Sequence, residues 1–414
     1  MLGGGGLSAL RDLSLTVRGG VGDGEGRKAF GEVLSAGKVP SLRTVCLDWN
    51  CDDSFASFCE GMGRGVCVHS PVLLDLCLSM IAEDPQRGLR GLADTIRAGK
   101  LSALQKLCLS DFDTPSPATG RALGEALTHA EASLNCLKEL QIEDLLGHSP
   151  TRVISAVLEG LARGSGRLPA LTSLKYPPAS IGTLGSQSLA AVRRGGKVPS
   201  LKDVNLCMSG IGLVGMNSFA SALSCPHISS LRVLDVKLGG VGGTGAAAEV
   251  GMFSVPLSSG HLRRLEKLCV QGLTIIEEVR ALCAGLGSGK MTALRELAVY
   301  GGAPLGVESA KAFSETIVAE KLPRLRTLSV TSMLNAEGVG GLVDGWMIRQ
   351  PPSLQHLSLR DNPLNSGAIE AVSNFLGSKR VPSLETVSLC SSGIDERSKS
   401  LLSKAFSEVL QFKF

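Results

Sequence analysis

The sequence predicts an α/β solenoid in which short parallel strands alternate with helices along residues 1–414. Three observations carry this prediction. A Leu-x-x-Leu-x-Leu core recurs at a nearly constant interval, and a helical pattern of apolar residues follows the core. Glycine, a cation and proline recur where each helix should end. One pattern over the whole length predicts a single domain of stacked units, since each unit buries its apolar face against its neighbours.

The strand core opens each repeat. Its first leucine, defined as position one, occurs thirteen times at intervals of 29 to 34 residues. Positions four and six, such as Leu107 and Leu109, should share one face because side chains alternate along a strand. The thirteen position-one residues are Leu10, Leu42, Leu73, Leu104, Leu137, Leu171, Leu201, Leu231, Leu265, Leu294, Leu325, Leu354 and Leu384.

A helix is predicted after each strand. In the last complete example, Ile369, Val372, Phe375 and Leu376 recur at the three- and four-residue spacing that places apolar side chains on one helix face. Strand, helix and strand in succession make neighbouring strands parallel. The repeats at Leu137 and Leu231 are the longest, at 34 residues, and should carry loop extensions.

The joint between helix and strand also repeats. Seven repeats carry lysine or arginine four residues before position one, often directly after glycine, as in Gly289-Lys290. Glycine in the left-handed conformation closes a helix, and a cation is favoured at the helix C-terminus. Residues 285–294, GLGSGKMTAL, look like a phosphate-binding loop. However, they lack that motif's first glycine and its hydroxyl residue, and a helix precedes them, so we interpret them as a joint.

These repeats resemble the leucine-rich repeat family, specifically its ribonuclease-inhibitor-like class, over nearly the whole chain. Residues 354–364, LQHLSLRDNPL, satisfy the family's L-x-x-L-x-L-x-x-N-x-L consensus, whose asparagine occurs here at Asn50 and Asn362. The resemblance implies a horseshoe with a parallel β-sheet on the concave face and α-helices on the convex face. It also implies a protein partner bound along the strands.

The sequence contains no motif typical of a catalytic centre, a cofactor site or a metal site. We therefore expect a non-enzymatic protein that binds neither a cofactor nor a metal ion. H-E-x-x-H, C-x-x-C and G-x-S-x-G are absent. Residues 242–250, GGTGAAAEV, fit a loose dinucleotide fingerprint, but every repeat has strand–loop–helix order. Cys46, Cys77 and Cys108 share position five of successive repeats. Either they are small residues tolerated on a crowded face, or they form an oxidation-sensitive or soft-metal-binding line of thiols.

Positions two, three, five, seven and eight should face solvent on the concave side. Across thirteen repeats they hold twelve Lys or Arg and thirteen Asp or Glu, a net charge of −1. A nucleic-acid-binding surface needs a basic stripe, so neither nucleic acid nor a membrane is expected as partner. Protein interfaces concentrate their energy in Trp, Tyr and Arg. The candidate partner-binding residues are therefore Arg43, Asp48 and Trp49 at one end, and Arg295, Tyr300, Arg326, Arg360 and Asp361 elsewhere.

An alternative function is GTPase activation, because the Ran GTPase-activating proteins share this repeat class and work through a strand-to-helix loop. Residues 107–127 contain such a loop, with Arg121 as its candidate arginine. The chain has no apolar run of about 18 residues and no secretory leader pattern. We therefore expect a cytoplasmic monomer, with a nuclear location as the alternative, and reduced cysteines.

Overall fold

The structure is a computed structural model that describes residues 9–17, 24–66, 73–80, 86–110, 116–130, 134–143, 151–208, 210–238, 246–378, 380–389 and 411–413. They belong to two compact units, Met1–Cys207 and Met208–Phe414. Strands and helices alternate in both units, as in an α/β repeat solenoid. Strands β1–β13 coincide with the thirteen cores predicted from the leucine register.

The first unit contains a parallel sheet in which each strand pairs with the next along the chain. Its strands are β1 (Asp12–Val17), β2 (Thr44–Trp49), β3 (Asp75–Met80), β4 (Lys106–Ser110), β5 (Glu139–Glu143), β6 (Ser173–Ser180) and β7 (Asp203–Cys207). Its helices are α1 (Gly24–Ser35), α2 (Asp52–Arg64), α3 (Gln86–Arg97), α4 (Pro117–Leu127), α5 (Thr151–Arg163) and α6 (Gly182–Arg194).

The second unit repeats this arrangement, again with sequential parallel pairing. Its strands are β8 (Val233–Lys237), β9 (Lys267–Leu273), β10 (Glu296–Gly301), β11 (Thr327–Thr331), β12 (His356–Leu359), β13 (Thr386–Leu389) and β14 (Gln411–Lys413). Its helices are α7 (Gly212–Leu223), a 3-10 helix (Pro226–Ser230), α8 (Ala246–Ser258), α9 (Ile276–Leu286), α10 (Val307–Thr316), α11 (Ala336–Ile348) and α12 (Ser366–Gly377).

Strand pairing follows the repeat register. Position four pairs with position four, as in Val45 with Leu76 and Leu76 with Leu107. Leu107 and Leu109 are buried, at 0% and 3% exposure, which confirms that positions four and six face the core. Because stacked equivalent side chains exclude water together, a one-residue slip would expose the whole apolar face.

The helices close the other side of the core with the apolar residues predicted from their spacing. Ile369, Val372, Phe375 and Leu376 of α12 are all buried. This helix begins where the Asn365 side chain accepts a hydrogen bond from the Ala368 N–H at 2.8 Å, which satisfies a donor that the first turn leaves unpaired. Core formation and local capping therefore set the same boundary.

The joints adopt the predicted geometry at most positions. Gly37, Gly99, Gly196 and Gly289 have φ of 68°, 71°, 61° and 70°, the left-handed conformation that ends a helix. Gly166 was predicted to do the same but does not have a positive φ. Its N–H instead donates to a carbonyl of the preceding repeat.

Three features depart from the simple register or lie beyond it. Strand β14, paired with β13, has no leucine core and was not predicted. In β9, Gly272 has a φ of 91° and the pairing with β10 shifts by one residue there, as in a bulge. The loop extensions predicted for the two longest repeats, and residues 239–245 of the dinucleotide-like stretch, lie outside the described residues.

Candidate functional site

The first group of candidate residues, Arg43, Asp48 and Trp49, differs in exposure to solvent. Asp48 is exposed and accepts a hydrogen bond from the Thr16 hydroxyl at 3.4 Å. Arg43 is half-buried, and its guanidinium donates to the Pro40 carbonyl at 3.0 Å. Trp49 is only 2% exposed, so the prediction that it faces solvent on the concave side is wrong.

Trp49 is buried because it is the last residue of strand β2 and lies on the same face as Val45 and Leu47. Its ring lies 6.0 Å from the ring of Phe55 and 5.4 Å from that of Phe58, centroid to centroid. These are ordinary packing distances for aromatic clusters in protein cores. Met208 and Leu238, which share position eight with Trp49, are buried as well. Position eight therefore belongs to the core in these repeats, contrary to the sequence prediction.

The remaining candidate residues lie at opposite ends of the strands. Arg295 and Arg326 are adjacent exposed residues at the N-terminal ends of β10 and β11, where the Arg326 N–H donates to the Arg295 carbonyl at 2.9 Å. Tyr300 lies five residues further along β10, about 16 Å away at the rise of a strand. These residues consequently mark two edges of the sheet and not one compact site.

Tyr300, Arg360 and Asp361 lie at the C-terminal strand edge, and all three are exposed. Tyr300 pairs in register with Thr331, the position-seven residue of the next strand, and Arg360 holds position seven one strand beyond. Thr331 is small and largely buried. Tyr300 and Arg360 therefore lie on either side of Thr331, with their backbones two inter-strand steps, about 10 Å, apart.

Asn362 holds the loop beside this group in place, as expected of the consensus asparagine. The side chain is 1% exposed, and its Oδ1 accepts hydrogen bonds from the N–H groups of Met333 and Leu334, both at 2.8 Å. Its Nδ2 donates to the carbonyls of Val330 and Leu359 at 2.7 and 2.9 Å. Buried main-chain groups of two repeats are thereby satisfied by one residue.

The other consensus asparagine behaves differently. Asn50 is exposed at the end of β2, so the same residue type at the same repeat position is not a buried side chain there. Asp361, just before Asn362, has a φ of 57°, and Ser332 at the equivalent position has a φ of 51°. This loop conformation is therefore shared by the repeats of β11 and β12.

Charges on neighbouring strands pair across the face of the first unit. Glu139 on β5 lies 3.3 Å from Lys106 on β4 and 3.3 Å from Lys175 on β6. Burial raises the pKa of Glu139, but the two lysines outweigh that effect and hold the pKa below its ordinary value. The carboxylate is thus neutralised by its neighbours, which lowers its availability to a basic partner.

The three cysteines at position five form the predicted stack. Cys46 pairs with Cys77, and Cys77 with Cys108, on adjacent strands. Neighbouring thiols of this stack affect each other's pKa values. Burial, with a contribution from Cys77, raises the pKa of Cys46 to about 11. The hydrogen bond to Cys108 and burial also raise the pKa of Cys77. Thiols in this state are weak nucleophiles at neutral pH.

Arg121, the arginine of the alternative GTPase-activating function, lies within α4 and not in the preceding loop. Its Nη1 is 3.3 Å from the Glu159 carboxylate on α5. It lines an open groove of about 720 Å³ on the helix side, together with residues of α5 and α6 such as Leu184. Residues 111–115 of the loop lie outside the described residues.

In the part of the chain that the structure describes, no group of three or more His, Cys, Asp or Glu side chains is arranged to hold a metal ion. Among the same residues, no helix is long and apolar enough to cross a bilayer.

Comparisons with known proteins leave the family open. No protein-family model matches the chain. No curated protein matches it at a significant level. Among solved structures, a Bacteroides fragilis protein is similar, with 12% identity, coverage of 94% of this chain and 85% of that chain, and a TM-score of 0.30. A likeness of this size carries no argument about function.

Proposed function

We propose that the chain is a leucine-rich repeat protein of the ribonuclease-inhibitor-like class and acts as a non-enzymatic scaffold that binds a partner protein along its strand face. The leucine register and the buried Asn362 bridge support membership of that class. The binding function rests on one observation above others. An exposed tyrosine and an exposed arginine, Tyr300 and Arg360, flank the small Thr331 on a rigid strand edge.

Tyr and Arg are the residues that contribute most to protein interfaces when they anchor in a partner's pockets. Tyr300 is 37% exposed, whereas its strand neighbours Leu297 and Val299 are fully buried. The strand therefore fixes the backbone while the ring stays accessible. This lowers the entropy lost on binding.

We propose a cytoplasmic or nuclear monomer that uses neither metal nor cofactor. Arg295 and Arg326 at the opposite strand edge of the second unit belong to its binding face, and Arg43 and Asp48 are the candidate partner-binding residues of the first unit. Cross-strand ion pairs such as Lys267 with Glu296, at 3.0 Å, keep much of the remaining face electrostatically neutral.

Affinity capture from cell extract with the full chain tests this function. The Tyr300→Ala/Arg360→Ala double variant should lose the captured partner, because the two side chains are its anchors. The Val307→Ala/Arg280→Ala variant is the matched control, since both residues are exposed on helices of the same unit. Retention of the partner by the strand-edge variant, or equal loss in the control, would overturn the proposed site.

A further inference from the structure

Arginines gather at the N-terminal strand edge of the second unit. The edge is formed by position two of each repeat and by the residues just before position one. The arginines there line one open groove of about 500 Å³, and they are Arg232, Arg263, Arg264, Arg295 and Arg324. The remaining lining residues are Glu266, Thr292, Ala293 and Pro323.

The positive charge of this groove is mostly uncompensated. Glu266, the one carboxylate in the lining, lies 3.7 Å from Arg232. The four other arginines are exposed, and within the described residues none of them makes an ion pair with a carboxylate. Glu296, next to Arg295 in sequence, pairs instead with Lys267 at 3.0 Å. The lining thus has five arginines and one glutamate, a formal charge of +4.

The groove is held in place by the core beneath it. Leu265, Leu294 and Leu325, the position-one residues that alternate with these arginines, are all 0% exposed. The Arg295 N–H donates to the Glu266 carbonyl at 2.8 Å, which ties neighbouring repeats together at this edge. Like charges repel at this density, so the fold keeps the guanidinium groups together at an electrostatic cost that a bound anion would relieve.

We infer that this groove binds an acidic segment of a partner protein. A guanidinium fork pairs with a carboxylate through two parallel hydrogen bonds, which suits side-chain carboxylates presented in sequence. The arginines extend over three inter-strand steps, about 14 Å, and an extended peptide of about five residues covers that length. The inference rests on the proposed function, because it names the chemistry of the partner.

A nucleic acid fits this groove less well. Its lining has no aromatic side chain on which a base could stack, and single-stranded nucleic-acid sites depend on such stacking. On the strands beside the groove, Lys267 is paired with Glu296 at 3.0 Å and adds no free cation to it. The cation excess is local, as expected for recognition of a short acidic stretch.

Fluorescence anisotropy with the purified full chain tests the inference. The probe is a labelled peptide that alternates glutamate and glycine. A peptide with glutamine in place of glutamate, and a short single-stranded RNA, serve as the other arms. The Arg264→Gln/Arg295→Gln variant should bind the glutamate peptide about tenfold more weakly. The Arg280→Gln/Lys311→Gln variant loses the same charge on the helix side and should bind within about twofold of the unmodified chain.

Equal weakening by both variants would overturn the inference, since it would indicate a nonspecific charge effect. Tight binding of the glutamine peptide would overturn it too, as would stronger binding of the RNA than of the glutamate peptide. The assay contains only the chain and the probe, so its failure is distinguishable from failure of the scaffold function. In that case the groove is not the acidic-segment site, while partner capture through Tyr300 and Arg360 stands on its own result.

Discussion

Asn362 bridges two repeats: its side-chain oxygen accepts a hydrogen bond from the main-chain N–H of Met333 at 2.8 Å, in the loop that follows the preceding strand. The same oxygen accepts the N–H of Leu334, and the amide nitrogen donates to carbonyls on both repeats. All of these groups are buried. Removal of the side chain would leave several of them without partners, and unpaired buried polar groups are costly.

The Asn362→Ala variant should therefore lose about 2–4 kcal/mol of unfolding free energy. Urea denaturation followed by circular dichroism measures this change. Asn50→Ala is the matched control, because Asn50 holds the same repeat position but is exposed. The control should change stability by less than about 1 kcal/mol. Similar losses in the two variants would contradict the bridging role of Asn362.

The cation at the joint should stabilise helix ends where it reaches their carbonyls. Lys197 is half-buried, and its ammonium donates to the carbonyl of Gly164 and, at 3.2 Å, to that of Gly166, just after α5. Lys197→Met should cost about 0.5–1.5 kcal/mol of stability. Lys290 in the phosphate-loop-like stretch is exposed, and Lys290→Met should change stability by less than about 0.5 kcal/mol.

Thermal or urea unfolding of both lysine variants checks this prediction. An equal, small effect would show that the carbonyl contacts of Lys197 add nothing to stability. A large loss of stability in Lys290→Met would show that the exposure of the lysine does not determine its contribution to stability.

Close helix packing depends on glycine between α4 and α5. A Cβ at Gly160 would collide with the main chain of Arg121 and Glu125. Gly160→Ala should therefore lose about 1–3 kcal/mol of stability through overpacking. Gly63 lies in α2, where an added Cβ meets no described atom within 4 Å, so Gly63→Ala should gain about 0.5–1 kcal/mol from higher helix propensity. Urea denaturation should show that the two substitutions change the unfolding free energy in opposite directions. A change in the same direction in both variants would contradict the packing argument.

The reactivity of Cys46 should shift to high pH in the folded protein. Burial and Cys77 raise its pKa from 9.0 to about 11, so the thiolate forms later than in the unfolded chain. Peptide-level mass spectrometry of iodoacetamide labelling should give a midpoint near pH 11 in the folded protein and near pH 9 in urea. Coincident midpoints would contradict the buried thiol line.

The raised pKa of Cys46 also makes the stability of the folded protein depend on pH. The folded-state pKa is the higher one, so the contribution of Cys46 is fully present below pH 9 and is lost as pH rises through about 11. The Cys46→Ser variant should lose less stability between these pH values than the unmodified chain. A steeper loss in the variant would reverse the assigned sign.

Much of the fold could be predicted because it is periodic. Leu107 and Leu109 follow the strand alternation, and Ile369 and Val372 follow the helical spacing, so local geometry alone indicates their burial. The left-handed Gly289 was predictable for the same reason, since only the local backbone determines it. Asn362 was recognisable from the consensus, although its partners in the preceding repeat were not.

The candidate site was less predictable. Trp49 is the last residue of β2 and shares the core face with Val45 and Leu47, where its ring packs against Phe55 and Phe58. Alternation places position eight on the same face as positions four and six, so the burial of Trp49 could have been predicted from period two. Tyr300 is exposed as predicted, but its separation from Arg295 depends on the length of β10.

The sequence alone determined the repeat period, the strand cores and the joints, because each depends on residues within one repeat and on the backbone conformations those residues prefer. Only the tertiary structure decided that Arg232 and Arg324 line the same groove, although they are far apart in the chain. Stacking brings equivalent edge positions of successive repeats within about 5 Å per strand, so side chains about thirty residues apart become neighbours. Charge that is balanced along the sequence is thereby concentrated at one strand edge.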